Sequence, residues 1–117
     1  KRNIQQDMFV EFLEDGKITF TYITKQDIEE VNAEEGDHEG LVEIGRDVEG
    51  VEVSIFLREI EEGEYKASLR SKDYVNVSDI CIMFAGGGHE KAAGCTMNMP
   101  LNEAKEKMVS RVKTYLK

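Results

Sequence analysis

Residues 85–94 read AGGGHEKAAG, which places three consecutive glycines directly before a histidine. An ordered glycine loses more backbone entropy on folding than any other residue, so a run of glycines needs a structural or chemical reason. Such a run persists where the chain requires positive φ angles, or where another group must come very close to the backbone. The stretch therefore predicts a tight segment that either packs against a neighbour or receives a ligand.

The residues on either side predict how this glycine run is held. Residues 76–84 have an N-cap residue and apolar positions at helical spacing, and we expect that helix to end at Gly86. Residues 89–93 predict a second short helix. Backbone N–H groups at a helix start lack internal partners and lie at the positive end of the helix dipole. The sequence thus predicts an anion site at Gly86, Gly87 and Gly88, with a further hydrogen bond from His89.

A second polar cluster ends at Ser71, 15 residues before Gly86. In the predicted strand over residues 65–72, Tyr65 and Leu69 share one face, while Ser68 and Arg70 project from the other. One helix and a loop can bring Arg70 back alongside Gly88. Arginine suits bidentate contacts with phosphate. The alternatives are that the glycines form a turn and that Arg70 is a solvated surface charge.

The rest of the chain predicts a single domain over residues 1–117 that mixes strands and helices. Asp15-Gly16 between two apolar runs predicts a β-hairpin. Alternating apolar residues predict strands at 51–60 and 95–99, and residues 33–40 predict a loop before a short helix over 41–50. Residues 101–115 predict a long amphipathic helix. We expect an α/β, or α+β-like, fold: a mixed sheet with antiparallel hairpins, covered by helices.

Composition and charge narrow the classes of partner. The 117 residues are 40% hydrophobic and carry a formal net charge of −9, which argues against coating a long nucleic acid by counterion release. No apolar run approaches the ~18 residues that a membrane span needs, and no signal peptide is evident. We expect a cytoplasmic domain without membrane contact. Cys81 and Cys95 are expected to be small buried hydrophobic residues rather than a disulfide.

No catalytic residue and no metal ligand is predicted in this chain. The spacing suggests neither a Ser-His-Asp nor a Cys-His arrangement, and no set of aspartates and histidines suited to two metals. His38, flanked by Asp37 and Glu39, resembles a metal cluster at first sight. A single histidine with carboxylates in a loop is more often simply solvated.

The order SLRS (residues 68–71) followed by AGGGHEKAAGC (85–95) resembles the C-terminal, DHH-associated (GGGH-motif) domain of bacterial DHH-family phosphoesterases. The likeness is greatest to the oligoribonuclease and phosphoadenosine-phosphate phosphatase type and to relatives that cleave linear or cyclic dinucleotides. It extends from about Val51 to Lys117 and is weaker over residues 1–50.

The resemblance implies a division of labour between two domains. A separate N-terminal DHH domain of the same chain binds two divalent ions, usually manganese, which activate the attacking water. The associated domain binds the nucleotide or short oligonucleotide substrate. Its substrate-binding positions in this sequence would be Ser68, Arg70, Ser71, Gly86, Gly87, Gly88 and His89. No DHH motif is present, so we expect a fragment that binds short nucleotides weakly and hydrolyses nothing alone.

Three other functions stay open at this point. Similar glycine-rich domains serve as accessory nucleic-acid modules at the C-terminus of alanyl-tRNA synthetases, and others belong to RecJ-type single-strand exonucleases. A structural or dimerisation domain with a vestigial loop is the third. The sequence decides neither the exact substrate nor whether the protein is a homodimer.

Overall fold

A mixed sheet of six strands organises the residues that the structure, a computed structural model, describes: 10–26 and 37–117. The strand order is β1-β2-β3-β4-β6-β5, and only the β2–β3 pair within it is parallel. This confirms the predicted fold class. The elements in chain order are β1 (Val10–Leu13), β2 (Ile18–Ile23), α1 (Asp37–Asp47), β3 (Val53–Glu61), β4 (Glu64–Ser71), α2 (Val77–Ile82), β5 (Gly87–His89), β6 (Ala92–Met97) and α3 (Leu101–Lys113).

The first hairpin forms where Asp15-Gly16 predicts it. Glu14, Asp15 and Gly16 all adopt positive φ angles, of 51°, 57° and 83°. This left-handed stretch reverses the chain, so that Val10 pairs with Thr21 and Leu13 with Ile18. Asp and Gly tolerate this conformation better than most residues, which explains why the two residues form the turn.

One face of the sheet packs on α2 and α3 to form the hydrophobic core. The alternation in β3 and β4 places Ile55, Leu57, Ala67 and Leu69 on this face, as the sequence predicts. Asn76 caps α2 by accepting hydrogen bonds from the Ser78 and Asp79 amides. The buried contributors from the sheet and the two helices include Ile55, Leu57, Ala67, Leu69, Cys95, Met97, Val77, Ile80, Cys81, Ala104, Met108 and Val112.

Helix α1 covers part of the opposite face. The sequence predicts a short helix over 41–50, and α1 lies at Asp37–Asp47, but the face that it covers is not predicted. The loop expected up to residue 40 is wrong from Asp37 onward, because α1 begins there. Gly45 brings the helix very close to β2 and β3: a Cβ at this position would lie 2.6 Å from Ser54 Oγ and 2.7 Å from Thr19 Oγ1. As a result Ser54 and Phe56 are buried although they alternate with the core residues.

The helix predicted over residues 89–93 does not form. Gly87–His89 is instead a short strand, β5, and a turn at Glu90 and Lys91 leads straight into β6. Strand structure is favoured here because β4, once paired with β3, leaves its other edge free. β6 pairs along that edge. β5 then adds to β6 as the last strand of the sheet. The local helix preference of Ala and Lys is overridden by this pairing.

The two cysteines are buried on the core side, as expected, and neither forms a disulfide. The side-chain interaction with Cys95, together with burial, raises the pKa of Cys81 above its usual range, while the interaction with Cys81 lowers the pKa of Cys95. Among the described residues, no helix is both long enough and apolar enough to cross a membrane.

A buried carboxylate anchors the loop that follows β4. Glu52 is 5% exposed, and its two oxygens accept hydrogen bonds from the backbone amides of Asp73, Tyr74 and Val75 at 2.8–3.2 Å. The negative charge strengthens these bonds. This contact fixes the chain between β4 and α2.

Replacing Glu52 with glutamine is expected to lower the free energy of unfolding by about 1 kcal/mol, because a neutral amide oxygen accepts weaker hydrogen bonds than a carboxylate. Chemical denaturation of the two proteins measures the difference. Glu49→Gln, at a nearby exposed position, is the matched control and is expected to change stability by less than ~0.5 kcal/mol. Equal losses for both variants would contradict an anchoring role for Glu52.

Candidate functional site

The sequence-predicted site residues come together through the register of β4, β6 and β5. Ser68 pairs with Gly94, which in turn pairs with Gly87. In the next row, Arg70 pairs with Ala92, and Ala92 pairs with His89. Residues directly opposite each other in antiparallel strands point to the same face. Ser68, Arg70, Gly87 and His89 therefore share one face of the sheet, away from the core.

Small residues form the floor between these side chains. Ala92 and Gly94 of β6 separate Arg70 and Ser68 from β5. Two strand spacings put the Cα atoms of Arg70 and His89 about 10 Å apart, so a group of phosphate size fits between their side chains. We refer below to Ser68, Arg70, Gly87 and His89, with this floor, as the glycine-strand face.

The three glycines are not equivalent. A Cβ on Gly86 would lie 2.2 Å from the Gly94 carbonyl oxygen and 2.5 Å from Cys95 Cβ. Gly88 has a φ of 149°, and its Cβ would lie 2.7 Å from the Ala92 carbonyl oxygen. Both positions need glycine for packing against β6. Gly87 has nothing within 4 Å of an added Cβ, so packing alone does not require glycine there.

Arg70 is held at the boundary between the glycine-strand face and α1. Its side chain is 16% exposed, with Nη1 donating to the Leu69 carbonyl oxygen at 3.0 Å. Glu43 of α1 places a carboxylate oxygen 4.0 Å from Arg70 Nε, and this glutamate is half exposed. The guanidinium is thus oriented from two sides and keeps N–H donors for another group. It is the most firmly positioned cation of this face.

The structure places Ser71 away from this site. As the neighbour of Arg70 in a strand, its side chain points to the core face, where it is 2% exposed. Its hydroxyl lies 2.6 Å from the Val75 carbonyl oxygen and 3.5 Å from that of Glu90. The expectation that Ser68 and Ser71 both flank Arg70 holds only for Ser68, because adjacent residues of a strand face opposite sides.

The sequence predicts free backbone N–H groups near His89 because a helix would begin there. In the structure, any free N–H groups of β5 have a different origin. No helix begins at His89, so no helix dipole acts there. β5 is the last strand of the described sheet, and within residues 10–26 and 37–117 one row of its backbone groups consequently has no strand partner. The Gly88 carbonyl oxygen on that row lies 3.4 Å from Ser78 Oγ. An anion site here would use edge-strand amides and side chains.

Two cations that are not among the predicted site residues, Lys66 and Arg58, lie on the same face. Lys66 continues the stripe of Ser68 and Arg70 along β4, and Arg58 of β3 is directly opposite Lys66. Arg58 was overlooked because only its register with β4 places it beside Lys66.

In the described part of the chain, no three His, Cys, Asp or Glu side chains are grouped closely enough to hold a metal ion.

Comparison with known proteins gives the following matches. The profile of the DHHA1 domain family matches residues 15–117. The chain is 42% identical over 89 residues to the bifunctional oligoribonuclease and PAP phosphatase NrnA of Thermus thermophilus, covering 75% of this chain and 27% of that protein. The chain thus spans about a quarter of the length of this relative.

Two solved structures share the fold. An exopolyphosphatase-related protein from Bacteroides fragilis superposes with a TM-score of 0.79 at 26% identity, over 96% of this chain and 32% of that one. The C-Ala domain of Aquifex aeolicus alanyl-tRNA synthetase gives a TM-score of 0.59 at 16% identity, over 93% of this chain and 98% of that one. The second likeness concerns the fold alone.

Proposed function

The chain belongs to the DHHA1 domain family, and from that premise we propose that it is the substrate-binding domain of a DHH-family phosphoesterase. The activity is hydrolysis of short RNA oligonucleotides, of linear or cyclic dinucleotides, or of phosphoadenosine phosphate. NrnA of Thermus thermophilus, which is 42% identical over the matched region, is named for the first and last of these activities. The catalytic DHH domain would lie outside these 117 residues.

The observation that carries this proposal is the register that gathers Ser68, Arg70, Gly87 and His89 on one open face. Three hydrogen-bond donors surround a floor of small residues: a guanidinium, a hydroxyl and an imidazole. Such donors suit phosphate oxygens. Gly87 leaves room for the ligand to approach the backbone of β5.

In this mechanism the residues of this chain bind and orient the substrate. Arg70 contacts phosphate oxygens, while Ser68 and His89 add hydrogen bonds from either side of the floor. Holding the substrate against a catalytic centre converts binding energy into correct positioning of the reacting phosphorus. The divalent ions, proposed to be manganese, would belong to the DHH domain and supply the activated water.

An accessory RNA-binding module is the second candidate function, because the C-Ala domain has the same fold. The net charge of −9 disfavours it, since a large RNA partner requires a broad basic surface. The phosphoesterase is therefore the better supported proposal.

Two measurements test the proposal together. The full-length protein with manganese is expected to release mononucleotides from RNA of two to five residues, whereas this chain alone is expected to hydrolyse nothing. Titration of the isotope-labelled chain with adenosine monophosphate is expected to shift the NMR signals of Arg70, Gly87 and His89. Tight tRNA binding without hydrolysis by the full-length protein would favour the accessory module instead.

A further inference from the structure

Two buried cysteines both contact Gly86, the first residue of the glycine run. The Cys81 carbonyl oxygen accepts a hydrogen bond from the Gly86 amide at 2.8 Å. A Cβ on Gly86 would lie 2.5 Å from Cys95 Cβ, so Cys95 packs against the same glycine from β6. Both cysteines are free, and both belong to the hydrophobic core between α2 and the sheet. The proposed function uses neither thiol.

The two cysteine side chains also interact with each other. This interaction and burial raise the pKa of Cys81, whereas the interaction with Cys81 lowers the pKa of Cys95. The thiolate, not the thiol, is the nucleophile in reactions of cysteine with oxidants. Cys95 is also the more accessible of the two, at 6% exposure against 0% for Cys81. We therefore expect Cys95 to react first with a small oxidant and Cys81 to be the protonated thiol beside it.

A bond between these two cysteines would enclose the whole glycine run. Residues 81–95 would form a closed loop of 15 residues that contains all of β5. β5 is a three-residue strand at the end of the described sheet, and such short edge elements open locally at low cost in free energy. Closing the loop removes conformational freedom from the opened state, which makes opening less favourable.

We propose that Cys81 and Cys95 are a redox-sensitive pair, which a hydroperoxide joins into a reversible disulfide that holds β5 on β6. With hydrogen peroxide, the Cys95 thiolate attacks one oxygen and the O–O bond breaks. Cys95 becomes a sulfenic acid, and the hydroxide that leaves is protonated to water. The Cys81 sulfur then attacks the Cys95 sulfur, and the S–O bond breaks as the S–S bond forms.

The atoms and electrons of this reaction balance. The sulfenic oxygen leaves as water together with the Cys81 thiol proton, so one peroxide gives two waters. The two cysteines lose two electrons, which the peroxide takes up. A thiol reductant restores both thiols by exchange with the disulfide. This inference does not depend on the proposed function.

The positions of the lysines allow the bond to be located directly. Trypsin cleaves after Lys72, Lys91 and Lys105, so the two cysteines fall in separate peptides, 73–91 and 92–105. The folded full-length protein is treated with hydrogen peroxide, and the remaining thiols are then blocked with iodoacetamide in urea. In the fraction that runs as a single chain on a non-reducing gel, mass spectrometry is expected to find the two peptides joined. Dithiothreitol is expected to separate them.

Two variants test the order of the steps. In Cys81→Ala, peroxide is expected to leave a sulfenic acid at Cys95, which dimedone traps on peptide 92–105. In Cys95→Ala, the Cys81 thiol is expected to stay reduced and to be blocked by iodoacetamide. The reverse pattern would contradict the assignment of Cys95 as the attacking thiol.

Hydrogen exchange measures how firmly β5 is held. In the disulfide form, the backbone amides of Gly87–His89 are expected to exchange about tenfold more slowly, or slower still, than in the reduced protein. Cys81→Ala treated with the same peroxide is the matched control, and its exchange is expected not to slow.

Two results would overturn the proposal. If the joined peptides form only when the protein is unfolded in urea before oxidation, the fold keeps the two thiols apart. If the disulfide forms in the folded protein but the exchange of β5 is unchanged, the bond does not hold this strand. Neither result involves nucleotide binding, so the proposed function and the redox pair stand or fall separately.

Discussion

Replacing Arg70 with alanine is expected to weaken nucleotide binding by about 1.5–3 kcal/mol, the usual loss for a charged hydrogen bond. This corresponds to a rise in Kd of roughly 10- to 150-fold. The effect is large because the Arg70 side chain is 16% exposed and already oriented by the Leu69 carbonyl and Glu43. Titration of the full-length protein with adenosine monophosphate measures it. His89→Ala is expected to act in the same direction.

Two further measurements distinguish lost binding from a disturbed structure. Arg70→Lys keeps the charge but loses the bidentate fork, so its affinity is expected to lie between those of the other two proteins. Metal content of the full-length protein is expected to stay unchanged in all variants. Loss of the metal in Arg70→Ala, or affinity equal to that of the unaltered protein, would contradict a direct contact between Arg70 and the ligand.

Replacing Gly86 with alanine is expected to lower the free energy of unfolding by about 3 kcal/mol or more, at the upper end of overpacking effects. The new Cβ would lie 2.2 Å from the Gly94 carbonyl oxygen, which is backbone and cannot move without disturbing β6. Chemical denaturation measures the loss.

Gly87→Ala is the matched control for this substitution. Its Cβ has nothing within 4 Å, so stability is expected to change by less than ~0.5 kcal/mol. The methyl group would, however, project over the floor in the row of Ser68 and Gly94, next to His89, and nucleotide affinity is expected to fall. If Gly86→Ala unfolded at the same denaturant concentration as Gly87→Ala, the close approach of Gly86 to β6 would be contradicted.

The sequence predicts those elements whose pattern is local. Alternation fixes the inward faces of β3 and β4, Asp15-Gly16 marks the first hairpin, and Asn76 caps α2. The spacing of apolar residues likewise predicts α3, at Leu101–Lys113. In each case the signal and the structure depend on residues that are neighbours along the chain.

The parts that the sequence does not predict depend on distant contacts. Residues 89–93 favour a helix by composition, but pairing with β4 makes them part of a hairpin. Ser54 and Phe56 follow an alternation typical of an open face, yet α1 buries them. The grouping of Arg70 with the glycines was predictable, whereas the edge-strand geometry and the opposition of Arg58 and Lys66 required the register.

The last strand of the sheet is only three residues long. An open sheet edge is a template on which another chain can add, and long flat edges lead to aggregation. β5 is too short to nucleate such growth, and the turn after it redirects the chain at once. The domain can therefore end its described sheet at β5 without this edge becoming prone to fibril formation.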